Sequence, residues 1–519
     1  MTSTPMTSPD MSWVAVLEHH ARRRPDAPIV EFEGRAISYA EMADRSAAVA
    51  ASLRGLGVDD GQVVALLAYN SADFLTTIFA ANTLGAVAMP INWRLAPDEV
   101  RYILDHSQAV ALVCDADTLA LGAAAADLCE HDQLVRVAIG ANPAATAAAV
   151  AAGWHRFDDL AATDERCERL PAAGSDLHRL MYTSGTTGRP KGVMITHENL
   201  AWKNAAHVAE LGFTSADVGL ACGPLYHVGA LDLVTTSMMS VGARTIVHRS
   251  FDPAAVVDEI ERSKVTVIWA APAMVRAVLD VEGIETRDLS SVKVIIAGGE
   301  KMPIPTIERI GRIFPSAWFA DAYGLTETVS GDTFLDPDHT IAKLGSVGRP
   351  CQYLELDIWD EHGASLPADQ PGEVVLRGPK VFTGYWRDPD ATAKAFAGGW
   401  FHTGDIGVRD TDGFVYIVDR LKDMIVSGGE NIASSEVERA IYEHPAVVEA
   451  AVVARPDDRW GEVPVAFVVT SDEATTPDEL IDHCRARLAK FKVPTAVTLI
   501  EALPRNPSGK VLKRELRER

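Results

Sequence analysis

Up to about residue 345, two apolar rhythms alternate along the chain. Ser38-Tyr39-Ala40-Glu41 has capping-box spacing, and apolar residues then recur at helical intervals to Leu56, which predicts a helix. Val63–Leu67 is a short unbroken apolar run between Gly61 and Asn70, as in a strand buried on both faces. Ala109–Cys114, Val265–Trp269 and Val292–Ile296 have the same character, the last running into Ala297-Gly298-Gly299. Strands alternating with helices predict parallel sheets covered on both faces. The Ala-rich stretch 119–152 predicts a surface helix and loop without chemistry.

Beyond residue 345 the texture changes. Short β-like runs, Gly372–Arg377 and Phe414–Val418, sit between Gly, Pro and Asp turns and predict a small β-barrel. From Arg420 a separate α+β pattern begins. Ser435–Glu438 has capping-box spacing and opens a helix expected to end near Pro445. Val447–Val453 and Val463–Val469 are strand-like, and Asp478–Leu488 is helix-like. No internal repeat is visible. A boundary at Asp419/Arg420 divides the chain into 1–419 and a C-terminal domain, 420–519.

Composition narrows the function classes. The chain has 519 residues, 47% hydrophobic and 23% charged, as a folded globular protein does. Its formal charge of −24 disfavours general nucleic-acid binding, because an acidic surface repels a phosphate backbone. Residues 485–519 run against this, with ten Lys/Arg and three Glu: a solvated face and tail, or a basic element that meets phosphates. Six scattered cysteines form no C-x-x-C pair, so no zinc ribbon or dithiol motif is expected, and single thiols suit a reducing compartment. The start resembles no signal peptide, and no run of about 18 apolar residues exists, so a cytoplasmic protein is expected.

The densest chemistry lies in Tyr182-Thr183-Ser184-Gly185-Thr186-Thr187-Gly188-Arg189-Pro190-Lys191-Gly192. Glycines let backbone N–H groups approach an anion, hydroxyls add donors, and lysine adds charge. It is not a Walker A loop, since Lys191 does not directly follow the second glycine and precedes Gly192 rather than Ser or Thr. Taken alone, such a stretch is a flexible surface turn more often than a site. Six further segments accompany it: Pro224-Leu225-Tyr226-His227, Ala322-Tyr323-Gly324-Leu325-Thr326-Glu327, Trp400-Phe401-His402-Thr403-Gly404-Asp405, Asp419-Arg420-Leu421-Lys422-Asp423, Ser427-Gly428-Gly429-Glu430-Asn431-Ile432 and Pro504-Arg505-Asn506-Pro507-Ser508-Gly509-Lys510. Together and in this order they resemble the adenylate-forming superfamily, which includes acyl-CoA synthetases, luciferases and peptide-synthetase adenylation domains.

The resemblance implies an α/β fold. A large N-terminal domain would hold two parallel-type α/β subdomains and a small β-barrel, followed by a mobile α+β C-terminal domain. It implies ATP, Mg²⁺ and CoA as cosubstrates and cofactor. A carboxylate is a poor electrophile; attack on the α-phosphate of ATP makes an acyl-adenylate, from which a thiol displaces AMP. The protein's tasks are positioning and charge neutralisation.

In such enzymes Thr183, Ser184, Gly185, Thr186, Thr187, Gly188 and Lys191 cradle pyrophosphate. Glu327 holds Mg²⁺, Thr326 donates to the α-phosphate, and Tyr323 stacks on adenine beside Ala322 and Gly324. Asp321 reaches the amino edge, and Gly298-Gly299-Glu300 form another wall of the purine site. Many relatives have Ala-Pro where this chain has Glu300-Lys301, so side-chain roles there do not carry over. Asp405 fits the ribose hydroxyls and Arg420 ribose or phosphate. Lys422 holds the hinge position, and Lys510 bridges the carboxylate and the α-phosphate during adenylation. After a large rotation of the small domain, Gly428, Gly429 and Glu430 flank the pantetheine arm.

Tyr226, His227, Val228, Gly229 and Leu231 are expected to line the acyl pocket. Amino-acid-activating relatives carry Asp just after the position of His227; here it is Val228, which disfavours an amino-acid substrate. The apolar lining leaves an aryl or phenylpropenoate acid, such as a hydroxycinnamate, and a medium-chain fatty acid both open. Three readings follow: an acyl-CoA synthetase, an acyl-AMP ligase loading a separate carrier protein, and a catalytically silent ligand-binding relative. Intact Lys510, Glu327 and Asp405 argue against the last.

Overall fold

The computed structural model describes residues 10–130, 134–140, 143–183, 189–298, 302, 304–427, 430–457, 459–472, 474–505 and 511–519. The chain forms two compact units: residues 1–344, 348–355 and 377–396, and residues 345–347, 356–376 and 397–519. The expected boundary at Asp419/Arg420 falls inside the second unit, where one sheet ends and the next begins.

Two sheets build the first unit. One has seven strands, in the order His155–Arg156, Val135–Ile139, Ala109–Asp115, Val63–Leu67, Val87–Pro90, Leu177–Thr183 and Lys191–Thr196. All its pairings are parallel except the last. The other has nine strands, parallel through its centre and antiparallel at both edges. Every residue of Val63–Leu67 is buried, as a parallel strand between helical layers requires. The helix over Tyr39–Gly55 starts where the capping signal places it, with the Ser38 hydroxyl accepting from the Glu41 amide at 3.1 Å.

Two expectations need correction. The Ala-rich stretch is not only helix and loop: Val135–Ile139 lies between its helices Leu119–Asp127 and Pro143–Ala151 and extends the seven-stranded sheet. Its short apolar run is hidden in sequence among alanines. The helix Ser434–Tyr442 is not opened by a Ser435/Glu438 capping box. Asp419 caps it from outside, accepting from the Ser434 amide at 2.5 Å and hydroxyl at 2.7 Å, while the Ser435 hydroxyl donates to the Val418 carbonyl.

In the second unit, the region expected to form a barrel contains a four-stranded sheet, Glu355–Trp359, Gly372–Arg377, Phe401–Arg409 and Val415–Arg420. The five-stranded sheet that follows is centred on the long hairpin Val447–Asp457 and Gly461–Thr470, with helices Ser434–Tyr442 and Pro477–Arg485. No helix among the described residues is long and apolar enough to cross a membrane. All six cysteines are free thiols.

Candidate active site

Strand ends of the first unit bring the phosphate side of the site together. Leu177–Thr183 turns back into Lys191–Thr196, leaving Thr183 opposite Lys191 in the ladder. Ser184, Gly185, Thr186, Thr187 and Gly188 lie outside the described residues. The Lys191 ammonium stands 4.9 Å from the centre of the Tyr385 ring. The Tyr385 hydroxyl donates to Glu327 Oε1 at 3.0 Å. Burial, then the charge of Glu327, pushes the Tyr385 phenol far above its ordinary pKa, so it remains a donor.

Glu327 lies in a single 3₁₀ turn, Thr326–Thr328. The backbone after it is unusual. Val329, Ser330 and Gly331 all have positive φ, at 57°, 66° and 61°. A β-branched residue there is strained and persists only where its surroundings impose it. Lys380 does so: its buried ammonium donates to the carbonyls of Ser330 (2.8 Å) and Gly331 (2.7 Å) and to Asp332 Oδ1 (2.8 Å). Thr328 donates to the other Asp332 oxygen at 2.6 Å. The turn is therefore held from beneath by a fully buried ion pair.

The purine-side expectations cluster on Trp318–Tyr323. Asp321 and Ala322 are buried and Tyr323 is half-buried. Gly298 pairs with Ala322, and a Cβ on Gly298 would lie 2.3 Å from the Ala322 carbonyl oxygen, so the close approach requires glycine. A Cβ on Gly324 would come equally close to the Gly331 amide nitrogen. Gly299 and Glu300 lie outside the described residues.

On the acyl side, Tyr226, Val228, Gly229 and Leu231 are buried and His227 is half-buried. The His227 ring lies nearly parallel to Trp269, centroids 6.0 Å apart, and its Nδ1 accepts from the Gly229 amide at 3.1 Å. A Cβ on Gly229 would sit 2.3 Å from Trp269, and one on Gly223 2.7 Å, so two glycines admit the indole face. Gly229–Thr236 winds as a π-helix, a geometry frequent at functional sites. Beneath it Arg179 and Asp232 form an ion pair with no solvent exposure. Lys203, also fully buried, donates to the Asp232 carbonyl at 2.5 Å and the Thr236 hydroxyl at 2.8 Å. Burial outweighs Asp232 and lowers its pKa to about 7.

In the second unit Asp405 and Arg420 face each other across neighbouring strands, Oδ1 to Nε 3.4 Å, with Asp405 buried and Arg420 half-buried. Lys422 lies in the short turn Leu421–Asp423, and Glu430 opens the strand Glu430–Ile432; their side chains, Gly428, Gly429 and Lys510 lie outside the described residues. The motifs passed over Tyr385, Lys380, Trp269 and Lys203. Only the Gly384-Tyr385-Trp386 cluster offered a local sign, an aromatic pair behind glycine.

A parallel α/β body whose strand ends present a lysine, an acidic turn and glycine-lined backbone is the architecture of a nucleotide-handling enzyme. The chain belongs to the AMP-binding enzyme family: that family's model matches residues 17–386, and the model of the AMP-binding enzyme C-terminal domain matches 436–510. A feruloyl-CoA synthase of Amycolatopsis sp is 39% identical over 96% of this chain and 97% of its own. A 2-succinylbenzoate–CoA ligase of Bacillus cereus is 36% identical over 95% and 96%. Among solved structures, the o-succinylbenzoate CoA synthetase of Bacillus subtilis with its acyl-adenylate intermediate is similar at a TM-score of 0.86, 31% identity and 98% coverage of both chains. The same enzyme with ATP and magnesium matches at 0.85, 30% identity, 96% of this chain and 98% of that one.

Proposed function

We propose that this chain joins an aromatic or otherwise hydrophobic carboxylic acid to CoA in two half-reactions. It is an AMP-forming carboxylate–CoA ligase using ATP, Mg²⁺ and CoA. In the first half-reaction a carboxylate oxygen attacks the α-phosphorus and pyrophosphate leaves. In the second the CoA sulfur attacks the acyl carbon, its proton is lost and AMP leaves.

Glu327 fits a magnesium site. Among the described residues no group of three or more His, Cys, Asp or Glu could hold a metal. Mg²⁺ is commonly held by one or two carboxylates together with substrate phosphates and water. A single carboxylate near the phosphate-side lysine matches that habit. The ion supplies charge neutralisation on the triphosphate.

The remaining roles belong to the chain's own residues. Thr183 to Gly188 and Lys191 cradle the outgoing pyrophosphate, and Thr326 donates to the α-phosphate. Tyr323, Ala322, Gly324, Asp321 and the 298–300 turn receive the adenine. Asp405 accepts from the ribose hydroxyls with Arg420 beside it. Lys510 stabilises charge developing between carboxylate and phosphate. Arg420 begins a mobile part that rotates near Lys422 and brings Gly428-Gly429-Glu430 to the pantetheine arm.

The reading of the acid is carried by one observation, the flat face made by His227 and Trp269 against Gly223 and Gly229, followed by Val228. A flat aromatic face suits a planar ring stacked on it, and Val228 offers no carboxylate to a substrate ammonium. Pyrophosphate release and thioester formation over a panel of aryl, phenylpropenoate, medium-chain and amino acids test it. Thioester formation greatest with aryl or phenylpropenoate acids is expected. Greatest turnover with an amino acid overturns the reading. Adenylate formation without transfer to CoA replaces it with that of a ligase serving a carrier protein.

A further inference from the structure

One short segment touches both the phosphate loop's flank and the Glu327 turn. Residues 379–386 run between them without belonging to either. On one side the Trp386 amide donates to the Gly192 carbonyl at 2.7 Å and the Met194 amide to the Gly384 carbonyl at 3.0 Å. These bonds fix the segment to the strand Lys191–Thr196. On the other side the Phe382 amide donates to the Glu327 carbonyl at 2.7 Å, and Lys380 holds the left-handed backbone of Ser330 and Gly331. Asn199 secures the segment itself, its amide donating to the carbonyls of Pro379 (2.8 Å) and Val381 (2.9 Å).

Tyr385 stands at the meeting point. Its hydroxyl bonds to Glu327 Oε1 and its ring face receives the Lys191 ammonium. A bare lysine and glutamate this close to one residue tend to pair directly, which would spend each charge on the other. A ring with a donor at its edge gives the cation a π-face and the carboxylate a hydrogen bond instead.

We propose that residues 380–386 are a positioning clamp for the phosphate side of the site, in which Tyr385 fixes the Glu327 carboxylate and the Lys191 ammonium in mutual register. Tyr385 acts through those two groups and touches no substrate. The clamp rests on the reading of Glu327 as the magnesium carboxylate. With Oε1 committed to Tyr385, the carboxylate is held in one orientation before the metal arrives. Hydrogen bonds to metal-ligating groups are typically worth 10- to 100-fold in metal affinity.

The test separates the clamp from that underlying reading. Mn²⁺ is titrated into the full chain with a non-hydrolysable ATP analogue and followed by electron paramagnetic resonance, for the parent, Tyr385→Phe, Tyr385→Leu and Glu327→Gln. Tyr385→Phe keeps the ring and loses only the donor. It is expected to weaken Mn²⁺ by roughly 10-fold or more, with metal-free analogue affinity and acid KM unchanged. Its turnover should recover at high Mg²⁺. Tyr385→Leu is expected to weaken metal-free analogue binding several-fold as well, through loss of the ring under Lys191. If Glu327→Gln weakens Mn²⁺ and Tyr385→Phe leaves it within about twofold, the clamp is wrong and the role of Glu327 stands. If Glu327→Gln leaves Mn²⁺ unchanged, the magnesium reading falls and the clamp with it.

Discussion

Charge is held differently around the first unit's site and near the Leu421–Asp423 turn of the second. Beneath the π-helix and the Glu327 turn, Arg179 and Asp232 have 0% side-chain exposure, and Lys380 and Asp332 have 1% and 0%. In the second unit Arg517 reaches Asp423 at 2.6 Å, one residue beyond Lys422, with 30% of its side chain exposed. Lys513 pairs with Glu438 at 2.8 Å, both mostly buried, and Arg420, its side chain 44% exposed, reaches the buried Asp405 across a longer gap. A dry ion pair is expensive to break and fixes one geometry; a wet one can be released and remade at small cost. The dry pairs fix one geometry in the first region, whereas in the second the cations Arg420 and Arg517 keep contact with water while their carboxylates are buried.

Cutting a dry pair gives the largest expected effect. Lys380→Met strands Asp332 without its cation and frees the strained Val329–Gly331 backbone. A loss of about 3–5 kcal/mol is expected, read by denaturant unfolding. A loss below about 1 kcal/mol would erase the distinction between the two regions.

Acid should strike the first unit next. His178, His197 and His207 are buried there, and burial lowers all three pKa values, that of His197 to about 4. The folded chain keeps them neutral while the unfolded chain protonates near pH 6.5. Unfolding therefore takes up protons, and stability present above pH 6.5 is lost as pH falls toward 4. For His197 alone this reaches about 3 kcal/mol by pH 4. Calorimetry between pH 7 and 4.5 should show the first unit's transition moving down the more. A transition that ignores pH in this window would show these imidazoles to be solvated.

The second unit's freedom is tested by separating the half-reactions. Lys510→Ala is expected to cost at least about 10²-fold in adenylate formation, as for loss of one transition-state donor. Thioester formation from supplied acyl-adenylate should suffer far less. Rapid-quench measurement of both steps decides, and equal losses would mean that Lys510 serves general integrity instead.

How much of this is legible in sequence depends on the range of the interactions. Val63–Leu67 and the Tyr39–Gly55 helix are visible because their signals are local, an unbroken apolar run and a cap three residues from its partner. Val135–Ile139 is hidden because alanines blur its edges, and the Ser434–Tyr442 helix is capped by Asp419, fifteen residues upstream. The site divides in the same way. Thr183, Lys191, Thr326 and Glu327 stand in motifs, whereas Tyr385 meets Glu327 across 58 positions and Lys380 meets Asp332 across 48. No spacing rule reaches that far. Lys203 looks like any helical lysine until the helix turns it inward onto the Asp232 carbonyl.

The smallest effect closes the comparison from the wet side. Arg517→Ala removes the contact to the buried Asp423, although water already reaches the guanidinium. Its cost to stability is expected to be about 1–2 kcal/mol, between that of an exposed pair and that of a dry one. On the pivot proposed at Lys422, a bond from the next residue to the last helix resists rotation, so releasing it should leave adenylation unchanged and alter thioesterification by at most a few-fold. Stopped-flow assay of each half-reaction, beside a denaturant curve, measures both. A cost of several kcal/mol would place this ion pair with Lys380 and Asp332 and make the second unit as rigid as the first.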